Sequence, residues 1–176
     1  MQRMRTGVGF YGLVVLAGFI TFVLHEGGHW LTTILLGHDA FFGLNSSGPI
    51  AAVSASDHAL ISAAGPLVTV VQAAIALWLV QVKASRTAWI FLFWPAFMRL
   101  MAMGISLFNP NDEARISEWL GWGLWTLPAL VSIGLIALLA VGSRRLRVSW
   151  KTLVLTWIAA SVAVSAIVGL DMLLKA

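Results

Sequence analysis

The chain has 176 residues, 60% hydrophobic and only 10% charged, with 11 Lys plus Arg against 7 Asp plus Glu for a net charge of +4. A soluble domain is about one quarter charged, so this composition excludes an ordinary water-soluble fold and points to a chain that is essentially all membrane. The basic residues are spread over the loops between apolar runs, which argues against nucleic acid as a partner, and the absence of cysteine excludes disulfides, thiolate metal sites and a Cys nucleophile.

Apolar runs recur at about 8–36, 59–82, 88–107, 120–141 and 151–173. Each meets or approaches the roughly 20 residues that a helix needs to cross a bilayer. They predict an all-α polytopic bundle of about five transmembrane helices. It forms a single membrane domain over 1–176, with a core at about 8–115 and two additional helices at about 120–173. Arg3 and Arg5 before the first run also fit a signal peptide, but cleavage would shorten or remove that helix, so the run is expected to stay as a span. Within it lies His25-Glu26-Gly27-Gly28-His29, with His25 about 26 Å along the axis from Val8. Gly37 is the expected helix end.

Residues 38–58 form the longest connection, in which Asn45-Ser46-Ser47-Gly48-Pro49 is a turn signal between apolar patches. A short hairpin or loop at the interface, or dipping toward the His pair, is expected there. Its backbone must be paired or covered, since none can face lipid unsatisfied. Ser56 or Asp57 can cap the second span. That span contains Ala63-Ala64-Gly65-Pro66, small residues that let helices approach closely, with Pro66 a point of kinking. The third span carries Pro95 and Arg99, and Asn109-Pro110-Asn111-Asp112-Glu113 follows as a polar turn. Pro128 is expected to bend the fourth span. Trp89, Trp119, Trp122 and Trp150 lie near span ends, where indole rings prefer the interface.

Loop charge alternates along the chain. Arg3 and Arg5, then Lys83 and Arg86, then Arg144, Arg145, Arg147 and Lys151 fall on one side, while the other loops hold few basic residues. The positive-inside rule puts the N-terminus in the cytoplasm and the C-terminus with Lys175 outside. His25 and His29 then sit in the outer half of the bilayer, on the side where Asp112 emerges.

An ionisable group at bilayer depth costs about 2.5–3.5 kcal/mol on insertion scales, so such residues default to a functional hypothesis. His25 and His29, four apart on a helix, share one face and can reach a single tetrahedral metal. Glu26 points about 100° away, where it can act on a water beside the metal as general base and then general acid. Gly27 and Gly28 leave room for water and an extended substrate strand. Two imidazoles leave the metal short of a protein ligand. Asp112 is the leading candidate; Glu113, Asp57 and His58 are rivals, and His38, Asp39 and Asp171 read as interfacial groups. Arg99 could pair with Asp112 or Glu26, steady a developing oxyanion, or serve as a structural ion pair. The plain alternative for His25, Glu26 and His29 is a hydrogen-bonded network that holds helices together, or ligation of another cofactor.

His25-Glu26-Gly27-Gly28-His29 in a membrane helix, followed by Ala64-Gly65-Pro66-Leu67 in another, resembles the site-2 protease family of intramembrane zinc metalloproteases. The resemblance covers about residues 20–112. It implies one zinc per chain held by His25 and His29, Glu26 as the base, and a Gly-Pro segment beginning a core helix. The family's Asn-Pro…Asp-Gly motif is matched loosely by Asn109-Pro110-Asn111-Asp112, which makes Asp112 the third ligand and Asn109 a supporting residue. Glu113 stands where the family has Gly, and no PDZ-like or sensor domain accompanies the motifs. The implied function is zinc-dependent hydrolysis of peptide bonds in or near transmembrane segments of membrane-protein substrates, in a multi-pass protein of the cell membrane. The sequence leaves the substrate and the oligomeric state unassigned. Two other readings are a non-proteolytic metal-binding accessory protein and a small-solute transporter.

Overall fold

The computed structural model describes Met4 and residues 6–175. Arg3 and Arg5 lie outside the described residues. The architecture is an all-α bundle, α1 Val8–Leu35, α2 Ala55–Lys83, α3 Arg86–Ile105, α4 Asp112–Trp119, α5 Thr126–Leu146 and α6 Trp150–Lys175. All but α4 are long and apolar enough to cross a membrane. A two-stranded antiparallel hairpin, β1 Ala40–Phe41 and β2 Gly48–Pro49, connects α1 to α2.

The element ends follow local chemistry. Gly37, at φ +84°, closes α1: its N–H bonds to the Ile34 carbonyl and that of His38 to Thr33, so the last carbonyls of the helix are satisfied. The second span begins earlier than expected because Ser54, rather than Ser56 or Asp57, is its cap, accepting from the Asp57 N–H. The fourth span is displaced from 120–141 to 126–146. Leu120–Trp125 is apolar by composition, but Gly121 and Gly123 hold positive φ and turn the chain there. Pro128 consequently falls in the first turn of α5, where no intrahelical N–H is needed.

The third helix is the centre of the bundle, packed by α1, α2, α5 and α6. Its Trp89, Phe93, Trp94 and Phe97 are fully buried. Trp89 therefore corrects the sequence expectation. It stands near a span end but faces inward, its indole N–H donating to Ser143 Oγ at 2.9 Å, whereas Trp119, Trp122 and Trp150 are exposed. The Trp94 ring lies where a Cβ on Gly18 would be, and its N–H donates to the Val14 carbonyl at 2.8 Å, seating α1 on α3.

Pro95 has no N–H for the Phe91 carbonyl one turn earlier. In lipid that orphan would be costly, and Gln72 of α2 donates to it at 2.9 Å and to Thr21 Oγ1 of α1 at 3.0 Å. One amide thus ties three helices together, one turn before His25. The hairpin is held from the far end of the chain by Asp171 of α6, which accepts the Leu44 N–H at 2.8 Å. Asp171 is buried in that tie.

Candidate metal centre

The site is assembled from three helices, and each contributes for a local reason. From α1, His25, Glu26 and His29 all turn inward and are 4–5% exposed. From α2, Gly65 presents bare backbone to them: a Cβ there would collide with the His29 and His25 rings. Gly65 is thus the residue that allows α2 to close over the imidazoles. Gly28 is likewise a packing glycine, with the Ala64 carbonyl and Val68 Cγ2 each 3.1 Å from where its Cβ would lie, while the space beside Gly27 is open. The third contribution comes from α4, whose first turn carries Asp112. Asn111 caps that turn, its side-chain oxygen accepting the Ala114 N–H at 2.9 Å, and its own N–H donates to Ser106 Oγ at 3.1 Å. The capped turn sets where Asp112 and Glu113 point.

Three ligand-grade atoms converge. His25 Nε2 and His29 Nε2 are 3.2 Å apart, and Asp112 Oδ2 lies 3.3 Å from the first and 3.4 Å from the second. Zinc bonds of 2.0–2.1 Å at tetrahedral angles give donor–donor edges of about 3.3–3.4 Å. The triangle therefore has the dimensions of one face of such a coordination sphere.

The protonation pattern points the same way. His29 Nδ1 is 2.7 Å from the Ile61 carbonyl. A carbonyl only accepts, so Nδ1 carries the proton and a neutral His29 turns the lone pair of Nε2 toward Asp112 and His25. The His29 Nε2 lone pair and Asp112 Oδ2 face each other at 3.4 Å and repel unless a cation or a shared proton lies between them. A histidine that donates through one nitrogen to a carbonyl and offers the other to the shared centre is the usual arrangement of a metal-binding imidazole.

Glu26 lies beside this triangle without joining it. One carboxylate oxygen, Oε2, is buried with no hydrogen-bond partner, and Ser47 of the hairpin turn approaches the carboxylate. The hairpin is thereby brought toward the site, as the turn signal in 45–49 suggested.

The other candidates separate clearly. Arg99 is buried, with Nη1 3.0 Å from Glu113 Oε1 and 3.5 Å from Asp112 Oδ2; of the two partners weighed for it, Asp112 is present and Glu26 is not paired with it. Glu113 is committed to Arg99 and stands outside the cluster. Asp57 pairs with His38 at 3.0 Å across the hairpin ends, and His58 is exposed. Asn109 is exposed in the turn after α3, its backbone N–H bonded to the Ile105 carbonyl, and the capping role falls to Asn111. Sequence reasoning did not find Gly65 against the imidazoles, the Ile61 carbonyl behind His29, or Ser47 near Glu26. The Ala64-Gly65-Pro66 small-residue signal bore on the first, and the turn signal in 45–49 on the last.

Among the described residues, His25, His29 and Asp112 are the group of side chains able to hold a metal ion. Set inside a bundle of membrane-length helices with Glu26 beside it, this cluster resembles a zinc-metalloprotease active site. Comparison with protein-family models, with curated proteins and with solved structures finds no match to the chain.

Proposed function

We propose that the chain is a zinc-dependent intramembrane endopeptidase of the site-2 protease type, acting on peptide bonds in or near transmembrane segments. The observation that carries this reading is the tetrahedral-sized triangle formed by the buried His25 Nε2 and His29 Nε2 of a membrane-length helix and by Asp112 Oδ2 of the short, partly exposed α4, with a carboxylate at its side. Zinc bound there would supply Lewis acidity, polarising the scissile carbonyl and making water easier to deprotonate.

The protein's own groups account for the rest. Glu26, with one oxygen unpartnered, takes a proton from the attacking water and returns it to the leaving amine. The space beside Gly27 is open, but a residue two positions after His25 lies about 200° round the helix from it, so this opening faces away from the metal ligands and the substrate must reach them past the hairpin side of α1. A helical substrate has its amides paired and occluded, so it must unwind locally before its carbonyl reaches the site. The short hairpin offers a strand edge to which such an unwound segment can add. The catalytic core is then residues of about 8–115, with α5 and α6 as supports. Basic residues from Lys83 to Arg86 and from Arg144 to Lys151 support a cytoplasmic side for those loops, with the metal end then in the outer half of the bilayer.

The test is cleavage in liposomes. Purified protein is mixed with a panel of labelled single-span peptides, each with a Gly-Pro break in its helix. Hydrolysis should appear for at least one, vanish with a strong zinc chelator and return when zinc is restored. Stoichiometric zinc with no hydrolysis across the panel would favour the accessory-protein reading instead.

A further inference from the structure

Arg99 carries a permanent charge that zinc binding and peptide hydrolysis at His25, His29 and Asp112 do not require. Its guanidinium stands against one edge of the donor triangle, with Nη1 3.5 Å from Asp112 Oδ2 and Nη2 3.5 Å from His25 Nε2. It therefore neighbours two of the three atoms that would hold the metal. A permanent cation in that position opposes a divalent one, and in a buried site the opposition is weakly screened. Glu113 meets this charge directly. Both its carboxylate oxygens face Arg99 Nη1, at 3.0 and 3.2 Å, and it is 2% exposed. It supplies the metal with no ligand, because its oxygens are spent on the guanidinium.

A divalent ion and Arg99 bring three positive charges to the buried part of this pocket, with the exposed Arg115 at its rim 3.8 Å from Asp112 Oδ1, and Asp112, Glu113 and Glu26 bring three negative ones. Without Glu113 the occupied site carries a net positive charge in a low-dielectric interior, a costly state. The geometry points to Glu113 as a positioning residue for metal binding: it neutralises Arg99 so that a single ligating carboxylate, Asp112, suffices to hold zinc. The helix that carries Asp112 and Glu113 is packed by α2 and α5, and the Arg99 backbone carbonyl, which a side-chain substitution leaves in place, accepts from Ser132 Oγ of α5 at 3.3 Å. This inference rests on the zinc reading of the site and adds how the site keeps its affinity.

An electrostatic role and a merely structural ion pair predict different patterns. In a structural pair, Arg99→Gln and Glu113→Gln are equivalent losses. Under the electrostatic role they differ in sign. Glu113→Gln should weaken zinc affinity by about 10–100-fold, the range seen when groups supporting a metal's ligands are removed. Arg99→Gln should hold zinc at least as tightly as the wild type, and the double variant should return close to it. The measurement is zinc competition against a chromophoric chelator, on full-length protein in detergent, with thermal unfolding recorded for each variant. Equal weakening in both single variants, with no recovery in the double, would overturn the inference, as would unchanged affinity in Glu113→Gln. If Glu113→Gln fails to fold, the other two variants still decide, since loss of zinc from folded Arg99→Gln contradicts it. Wild-type protein that binds no zinc would instead overturn the metal reading itself.

Discussion

Glu26→Gln is expected to lower peptide hydrolysis by about 10²–10⁴-fold while leaving zinc bound, because an amide can neither take the water's proton nor return one to the leaving amine. Glu26 stands beside the His25, His29 and Asp112 triangle without contributing an atom to it, so the metal loses no ligand. The substitution conserves shape in a buried position with one oxygen unpartnered. The check is a turnover assay in liposomes paired with metal analysis of the same preparation. Loss of zinc along with activity would show that Glu26 is a ligand. Full activity without it would remove it from the chemistry.

Asp112→Ala should empty the site, with zinc affinity falling by more than the about 10–100-fold typical of groups one step removed from a metal. Two imidazoles alone leave a tetrahedral ion with a single helix to hold it. The neighbouring carboxylate is no substitute, because Glu113 is held by Arg99 at 3.0 Å and is not in the group of converging ligand atoms. Metal content measured for Asp112→Ala against Asp57→Ala and His58→Ala distinguishes the candidates that the sequence left open. Zinc should be lost only from the first. Full occupancy in Asp112→Ala would place the third ligand elsewhere.

Much of this site was legible before any coordinates. His25 and His29 fall on one helix face by spacing alone, and their burial in an apolar run marks them. The topology of three spans then brings Asp112 to the same end of the bundle. What sequence could not supply was which apolar residue faces protein and which faces lipid. Both environments select the same side chains, which is why Trp89 read as an interfacial ring and proved to be buried in the core. The same ambiguity displaced the fourth span: Leu120–Trp125 is apolar enough to belong to it, yet Gly121 and Gly123 fold it into a turn.

Long-range pairings were likewise hidden. Nothing local announces that Glu113 meets Arg99, that Asp171 caps the hairpin 127 residues away, or that Gly65 must lack a side chain because two imidazoles occupy its place. Gln72 is a similar case. A lone amide in an apolar helix has no visible purpose until Pro95 is seen to strand the carbonyl that it satisfies.

The central claim is that the buried polar trio is tolerated in the bilayer because a divalent ion gathers it. X-ray absorption at the zinc edge, on wild-type protein purified without chelator, tests this most directly. The account predicts stoichiometric zinc in a four-coordinate nitrogen-and-oxygen shell at about 2.0–2.1 Å, with the multiple-scattering signature of two imidazoles. Protein free of zinc, or a shell without imidazole, would contradict it.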